Sequence, residues 1–354
     1  MFFKAKRHIL LVLVLMFTFN TGTLLAAEET EKKSFDIKEM IFSHIMDAYD
    51  WHLITIGEKS YSIPLPIIVK GENGWEVFSS AKLTDGGEYK GFYLSPEDPY
   101  KNKVVYQSST GEVVRPLDLS FTKNAAAAMV AALLLIVIML LIAKRYKQDH
   151  MRPMKGFTGA IEQLTMSLHD DLIKPNIPHD YKKFAPYLLT VFYFIFLNNL
   201  MGLIPIFPGG ANVTGNIAVT LTLALFTFFI SNIFGTKAYW KEIFWPDVPT
   251  FLKTPVFPLM QIIEIIGMIT KPFSLMVRLF ANMMAGHMII LVLMGLIFMF
   301  AVMIGVGAAS AVSVVSILFS IFMFLLDVLV SFIQAYVFTI LSSIFIGMTR
   351  VRAH

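Results

Sequence analysis

The chain contains no cysteine, which removes disulfides, thiolate chemistry, cysteine zinc sites and cysteine-ligated iron–sulfur clusters from consideration. It is also poor in charge. Charged residues make up 15% of its 354 positions and hydrophobic ones 56%, against about 25% and about 45–50% in an average soluble protein. The shortage is sharpest over residues 288–326, which hold no charged side chain. Such a composition excludes an ordinary soluble protein and implies several membrane spans. The net charge of +4 says little about partners, because the basic residues gather in loops and tails.

The N-terminus reads as a signal peptide over residues 1–27. Lys4, Lys6 and Arg7 form a basic region, residues 9–19 a short apolar core, and Ala26 and Ala27 a small-residue cleavage site. The core is short for a spanning helix; an uncleaved anchor is the alternative. Either places the residues from about 28 onward outside the cytoplasm, and a secretory signal points to a bacterial plasma (inner) membrane. Residues 28–120 are read as an extracytoplasmic domain. A short amphipathic helix is expected over 36–47, then strands at 53–56, 63–69, 75–79, 89–94 and 104–107, separated by turn signals such as Asp85-Gly86-Gly87. His44, Asp47, Asp50 and His52 lie close together. With no second cluster to complete a metal site, they read as a solvated polar face.

Residues 121–354 read as the membrane domain of an all-α polytopic protein. Five helices are expected, at about 125–143, 185–206, 216–234, 258–304 and 308–347. Lys144, Arg145 and Lys147, then Lys237, Lys241 and Lys253, then Arg350 and Arg352 mark cytoplasmic ends. An extracytoplasmic start, a cytoplasmic C-terminus and five crossings are mutually consistent. The last two helices are abnormal. A turn near Gly305-Val306-Gly307 makes the fourth about 70 Å long at 1.5 Å per residue, against a hydrocarbon layer of about 30 Å. They must form a long, strongly tilted hairpin, or be broken, for example at Gly286 or Gly295.

Inside the first arm of that hairpin stands Arg278. Arginine stays protonated in proteins, and a permanent cation at lipid depth is normally functional. An arginine snorkelling from a helix end is the bland alternative, but apolar residues continue far beyond it. Arg278 and Gln334 each lie 28 residues from Val306, and His287 and Asp327 are symmetric about Gly307. One hairpin therefore sets Arg278 beside Gln334 and His287 beside Asp327. Glu264, Gly267, Lys271, Ser274, Arg278, Asn282 and Ala285 follow steps of three and four, as do Asp327, Ser331 and Gln334. Helix–helix adhesion explains the small members of these stripes but not Arg278, His287 or Asp327. A histidine and a carboxylate at one depth can exchange protons near neutral pH.

Ser274-Leu275-Met276-Val277-Arg278-Leu279-Phe280-Ala281-Asn282-Met283-Met284-Ala285-Gly286-His287 resembles subunit a of the F-type ATP synthase. So do Phe332-Ile333-Gln334-Ala335-Tyr336-Val337-Phe338 and Phe196-Leu197-Asn198-Asn199-Leu200-Met201-Gly202-Leu203-Ile204-Pro205. The resemblance covers roughly residues 125–350. It implies a non-catalytic, proton-translocating stator subunit of a rotary H+-transporting ATP synthase, with two half-channels and no cofactor or metal. By position Arg278 is the essential arginine facing the c-ring carboxylates. Asn282 and Gln334 match its polar neighbours, Glu264 an acidic position on the cytoplasmic path, and His287 and Asp327 the extracytoplasmic path. Ser331 lies on the same proton-path stripe. Bacterial members often carry the acid first and the histidine second; here the order is reversed, as in mitochondrial relatives. The implied partners are the c-subunit ring, the b subunits of the peripheral stalk, the remaining synthase subunits and membrane lipid, with no nucleic acid. The rivals are a proton-coupled secondary transporter, which commonly shows internal repeats, and a non-conducting assembly anchor, which leaves Arg278 without a purpose.

Overall fold

The computed structural model of the chain describes residues 47–350, apart from 57–58, 73, 84–85, 98, 109–110, 149–155, 205–208, 246–258 and 305. The signal peptide, most of the helix expected over 36–47, His44, Gly305 and Arg352 lie outside the described residues, as does the His52 side chain.

Short alternating segments build the N-terminal region. β1 (Asp50–Ile56) pairs antiparallel with β2 (Lys59–Pro64). β3 (Pro66–Gly71) is central in a three-stranded antiparallel sheet, between β4 (Gly74–Ser79) and β8 (Leu117–Asp118). β5 (Phe92–Leu94), β6 (Val104–Gln107) and β7 (Val113–Val114) form a third sheet. Period-two alternation turns Ile67 and Val69 of β3 inward, where they pack with Phe78, Leu83, Phe92, Val104 and Tyr49.

The single strand expected over 63–69 is two strands in different sheets. Pro64 and Pro66 flank Leu65, and neither can donate a ladder hydrogen bond. Ile63 therefore pairs with Trp51, and Ile67 with Phe78. Leu65 N–H, left between the sheets, donates to Ser80 Oγ at 3.0 Å. The expected strand at 89–94 shortens to β5, preceded by a turn that bridges Tyr89 to Phe92.

The described residues that follow are mainly helical. α1 (Lys123–Gln148) leaves the strand region directly. α2 (Phe157–Ser167) runs into a π-helical stretch, Leu168–Ile173, and a single turn, Lys174–Asn176. α3 (Tyr181–Leu203), α4 (Ile217–Ile233) and α5 (Lys237–Phe244) follow. Asn216 caps α4 by accepting from Ala218 N–H, and Thr236 caps α5 by accepting from Tyr239 N–H. α6 (Leu259–Ile304) and α7 (Val306–Thr349) are 46 and 44 residues long. α6 is continuous through both Gly286 and Gly295.

Among the described residues four helices, α1, α3, α6 and α7, are long and apolar enough to cross a membrane. α4 and α5, bent by 101° at their junction, make up a fifth candidate span as a pair. The helical core lies between α3, α6 and α7, with Leu188, Phe192 and Ile195 against Leu275, Leu279, Ala335 and Phe338. Small side chains on α7, Ala335, Thr339, Ser342 and Ser343, are fully buried and permit close helix approach. At one end of this bundle Arg350 binds the Asp180 carboxylate and donates to Phe234 O at 2.8 Å.

Candidate functional site

The α6–α7 hairpin converts distance along the chain into spatial register. Gly286 abuts Asp327, and Arg278 shares one small cavity with Gln334, lined also by Leu275, Leu279 and Phe338. Counted along the chain, the first level centres on Gly307 to within one residue and the second on Val306.

The two faces of α6 differ. Leu275, Met276, Leu279 and Met283 are buried in the core. Ser274, Arg278, Asn282 and Ala285, on the other face, are exposed. Among the described residues Arg278 has neither a hydrogen bond nor an ion pair. Gln334 behind it is 5% exposed, and its amide oxygen and nitrogen both lack partners. A buried unpaired amide costs about 1–3 kcal/mol, so this level is polar, unsatisfied and open toward the outer face of the hairpin.

Two turns along α6 lies the His287 imidazole. Its Nδ1 is 3.1 Å from Met283 O on its own helix, and its Nε2 is 3.1 Å from Gly202 O at the end of α3. Both partners are acceptors, so both contacts are hydrogen bonds only when both ring nitrogens carry protons. The ring thus turns to α3, while the carboxylate across the hairpin packs on the Gly286 backbone. Asp327 Oδ2 is buried without a hydrogen-bond partner. Ser331 is fully buried one turn on and donates to Asp327 O at 2.7 Å.

A second set of polar groups reaches this level from residues to which sequence reasoning gave no role. Asn199 on α3 accepts from Thr214 Oγ1 at 2.6 Å, and its Nδ2 is 3.4 Å from Ser331 O. Asn212 Nδ2 is 3.5 Å from Met283 O, the carbonyl that His287 also contacts. The segment 211–216 therefore touches the first arm of the hairpin directly and the second by way of Asn199. The Asn198-Asn199 pair, polar inside an apolar run, was the available signal.

Toward the other end, Lys271, Tyr239, Ser231, Asn232, Thr227 and Thr349 line a cavity between α4, α5, α6 and α7. Tyr239 OH donates to Asn232 Oδ1 at 3.2 Å. Glu264 is half-buried two turns before Lys271 on α6. Glu264 is thus well separated from the His287–Asp327 level. Asp47 is not part of a solvated face: it accepts from Asn124 N–H at 3.1 Å. Among the described residues no group of three or more potential metal ligands is present.

The ATP synthase A chain family matches residues 126–347. The chain belongs to that family. ATP synthase subunit a of Chloroherpeton thalassium is 40% identical over 232 residues, covering 65% of this chain and 67% of that protein. ATP synthase subunit a 2 of Chlorobaculum tepidum is 46% identical over 199 residues, covering 56% of this chain and about half, 54%, of that protein. Subunit a of Myxococcus xanthus is 38% identical over 239 residues, covering 67% and 75%. Residues 40–121 match a domain of unknown function. The family expected from residues 274–287 is the family found, and its match spans the helices that hold the site. Family and apolar helices together make this a membrane protein.

Proposed function

We propose that this chain is the proton-translocating stator subunit of the F-type ATP synthase membrane sector, non-catalytic by itself, with Arg278 as its essential gate. The observation that carries the proposal is an arginine without a partner on the exposed, small-residue face of a long apolar helix. An unpaired cation there calls for an anion on another chain. The carboxylates of a c-subunit ring, passing along that face, supply it.

The mechanism is an electrostatic gate. A protonated ring carboxylate leaves lipid and meets the Arg278 guanidinium. A nearby cation favours the ionised form, so the proton departs through one half-channel. The other half-channel delivers a proton past His287 and Asp327 to the next carboxylate, because only the neutral group returns cheaply to lipid. Asn282 and Gln334 position the groups beside Arg278, and Ser331 holds the helix at the Asp327 level. Glu264, near the cavity around Lys271, belongs to the cytoplasmic path. Arg278 also repels protons and so blocks a direct leak. Each charge crossing 100 mV supplies about 2.3 kcal/mol.

In this reading five crossings hold the chain in a bacterial inner membrane, with α6 and α7 steeply tilted, because each exceeds about 60 Å at 1.5 Å per residue. Residues 28–120 are extracytoplasmic and the C-terminus is cytoplasmic. The b subunits of the peripheral stalk and the remaining synthase subunits are its other partners. The test is ATP-driven proton pumping in membranes carrying Arg278→Ala. Pumping is expected to vanish while the complex still assembles; pumping at the normal rate overturns the proposal.

A further inference from the structure

The strand domain is joined to the helices by more than its covalent link. Trp51 and Leu65 pack with Ala126 and Ala127 of α1 and with Ala211 and Val213 of the segment before α4. Lys123 N–H donates to Ala48 O at 2.9 Å. One side chain completes this junction. Asp47 Oδ1 accepts from Asn124 N–H at 3.1 Å, and Asp47 Oδ2 accepts from Asn216 Nδ2 at 3.4 Å. Asn124 is the second residue of α1, and Asn216 is the N-cap of α4. A carboxylate at two helix N-termini is well placed, since both ends carry partial positive charge.

Asn216 also ends the segment that reaches the candidate site. From that segment Asn212 contacts Met283 O beside His287, and Thr214 holds Asn199, which contacts Ser331 O next to Asp327. The polar connections thus run from Asp47 through residues 212–216 to both arms of the hairpin. The segment lies near the end of α3 and the start of α4, and its own backbone contacts are turn-like: Val213 N–H to Ala211 O and Asn216 N–H to Val213 O. Inside it Gly215 N–H donates to Asn212 Oδ1 at 2.9 Å, and polar contacts from outside come from Asp47, Asn199 and Met283.

We propose that Asp47 is a positioning residue for proton delivery: it clamps the strand domain onto residues 211–216 and so fixes the Asn199–Asn212 groups that orient the His287–Asp327 level. This inference rests on the proton-path reading above. It gives the N-terminal domain a task in the path that no ring contact requires.

The test uses the intact synthase in membranes, with proton flux normalised to assembled complex. Asn216→Asp keeps a good N-cap but sets a second carboxylate against Asp47. Flux per complex is expected to fall about tenfold, the scale of one lost hydrogen bond to a charged group. Asp47→Asn combined with Asn216→Asp exchanges donor and acceptor, leaves Asn124 N–H satisfied, and is expected to restore at least half of the flux. A purely architectural role would alter the amount of complex and leave flux per complex unchanged. Normal flux per complex in Asn216→Asp overturns the proposal, and so does a double variant that recovers neither assembly nor flux. Arg278→Ala in the same membranes separates the two readings. If it pumps normally, the proton-path assignment has failed; if it is silent while Asn216→Asp pumps normally, only the role of Asp47 has failed.

Discussion

Gly286 on α6 lies directly beneath the carboxylate of Asp327 on α7. A Cβ placed at position 286 would sit 2.7 Å from Oδ1, 3.0 Å from Oδ2 and 3.1 Å from Cγ. Glycine is therefore what lets an acid occupy the hairpin interface at this level. Gly286→Ala must push the carboxylate aside, and the short aspartate side chain has little freedom to comply. Proton flux is expected to fall about tenfold, equivalent to about 1.4 kcal/mol on the limiting step, with the complex still assembled. Flux measurements on Gly286→Ala beside Gly295→Ala check this, position 295 lying more than two turns away.

The His287–Asp327 level makes a separate prediction. If the pair relays protons, Asp327→Asn keeps size and polarity but cannot take up a proton, and flux should drop strongly at neutral pH. His287→Ala should do the same. Exchanging the two, His287→Asp with Asp327→His, should restore part of the flux. Near-normal flux in both single variants would move the path away from this level.

Arg278→Lys distinguishes a charge from a fork. Lysine can lose its proton when desolvated and presents a point charge where arginine presents a planar set of donors. Pumping is expected to fall at least a hundredfold, about 2.7 kcal/mol, although the formal charge is conserved. A lysine variant that pumps at the normal rate would show that charge alone suffices.

The hairpin level of this site was legible because a single pivot makes sequence symmetry into spatial register. Arg278 with Gln334, and the Gly286–His287 level with Asp327, follow from counting along two uninterrupted helices. The stripe through Ser274, Arg278 and Asn282 was legible for the same reason, since helical periodicity fixes a face. The polar support was not. Asn212 reaches Met283 across 71 positions, and Asp47 reaches Asn216 across 169. A polar loop residue carries no periodicity that names its partner. The division at Leu65 was visible in principle, because Pro64 and Pro66 interrupt any ladder, but the apolar run around them outweighed that signal. β7 and β8 span two residues each, too few for alternation to register.

Alkaline pH tests the strand domain. Tyr49 donates its phenolic hydrogen to Asp118. Burial, then that hydrogen bond and the adjacent carboxylate, hold its pKa well above the ordinary value. The folded value exceeds the unfolded one of about 10, so the stabilisation is complete below pH 10 and is lost as pH rises beyond it. Unfolding of the strand domain, followed by Trp51 and Trp75 fluorescence in a Trp240→Phe, Trp245→Phe background, should become easier above about pH 10. Tyr49→Phe should be less stable at neutral pH by about 1.5–3 kcal/mol and should lose most of that alkaline slope.

Two glycines separate what the chain requires for folding from what it requires of a partner. At Gly347 on α7 a Cβ would lie 2.2 Å from the Asn176 backbone oxygen and 3.2 Å from its carbonyl carbon. A backbone carbonyl cannot yield as a side-chain tip can, so Gly347→Ala must separate α7 from the turn Lys174–Asn176. A loss of about 1–3 kcal/mol is expected, read as a lower unfolding temperature of the purified subunit in micelles. At Gly267 on α6 a Cβ meets nothing within 4 Å. Gly267→Ala should leave that temperature unchanged or raise it, since alanine is favoured over glycine in a helix by about 1 kcal/mol. Gly267 shares the outward stripe of Arg278. If that face runs along a ring of partner helices, Gly267→Trp should unfold at the normal temperature yet give a synthase with little ATP-driven pumping. A tryptophan variant that pumps normally would remove position 267 from the contact face and confine the interface to the part of the stripe nearer Arg278.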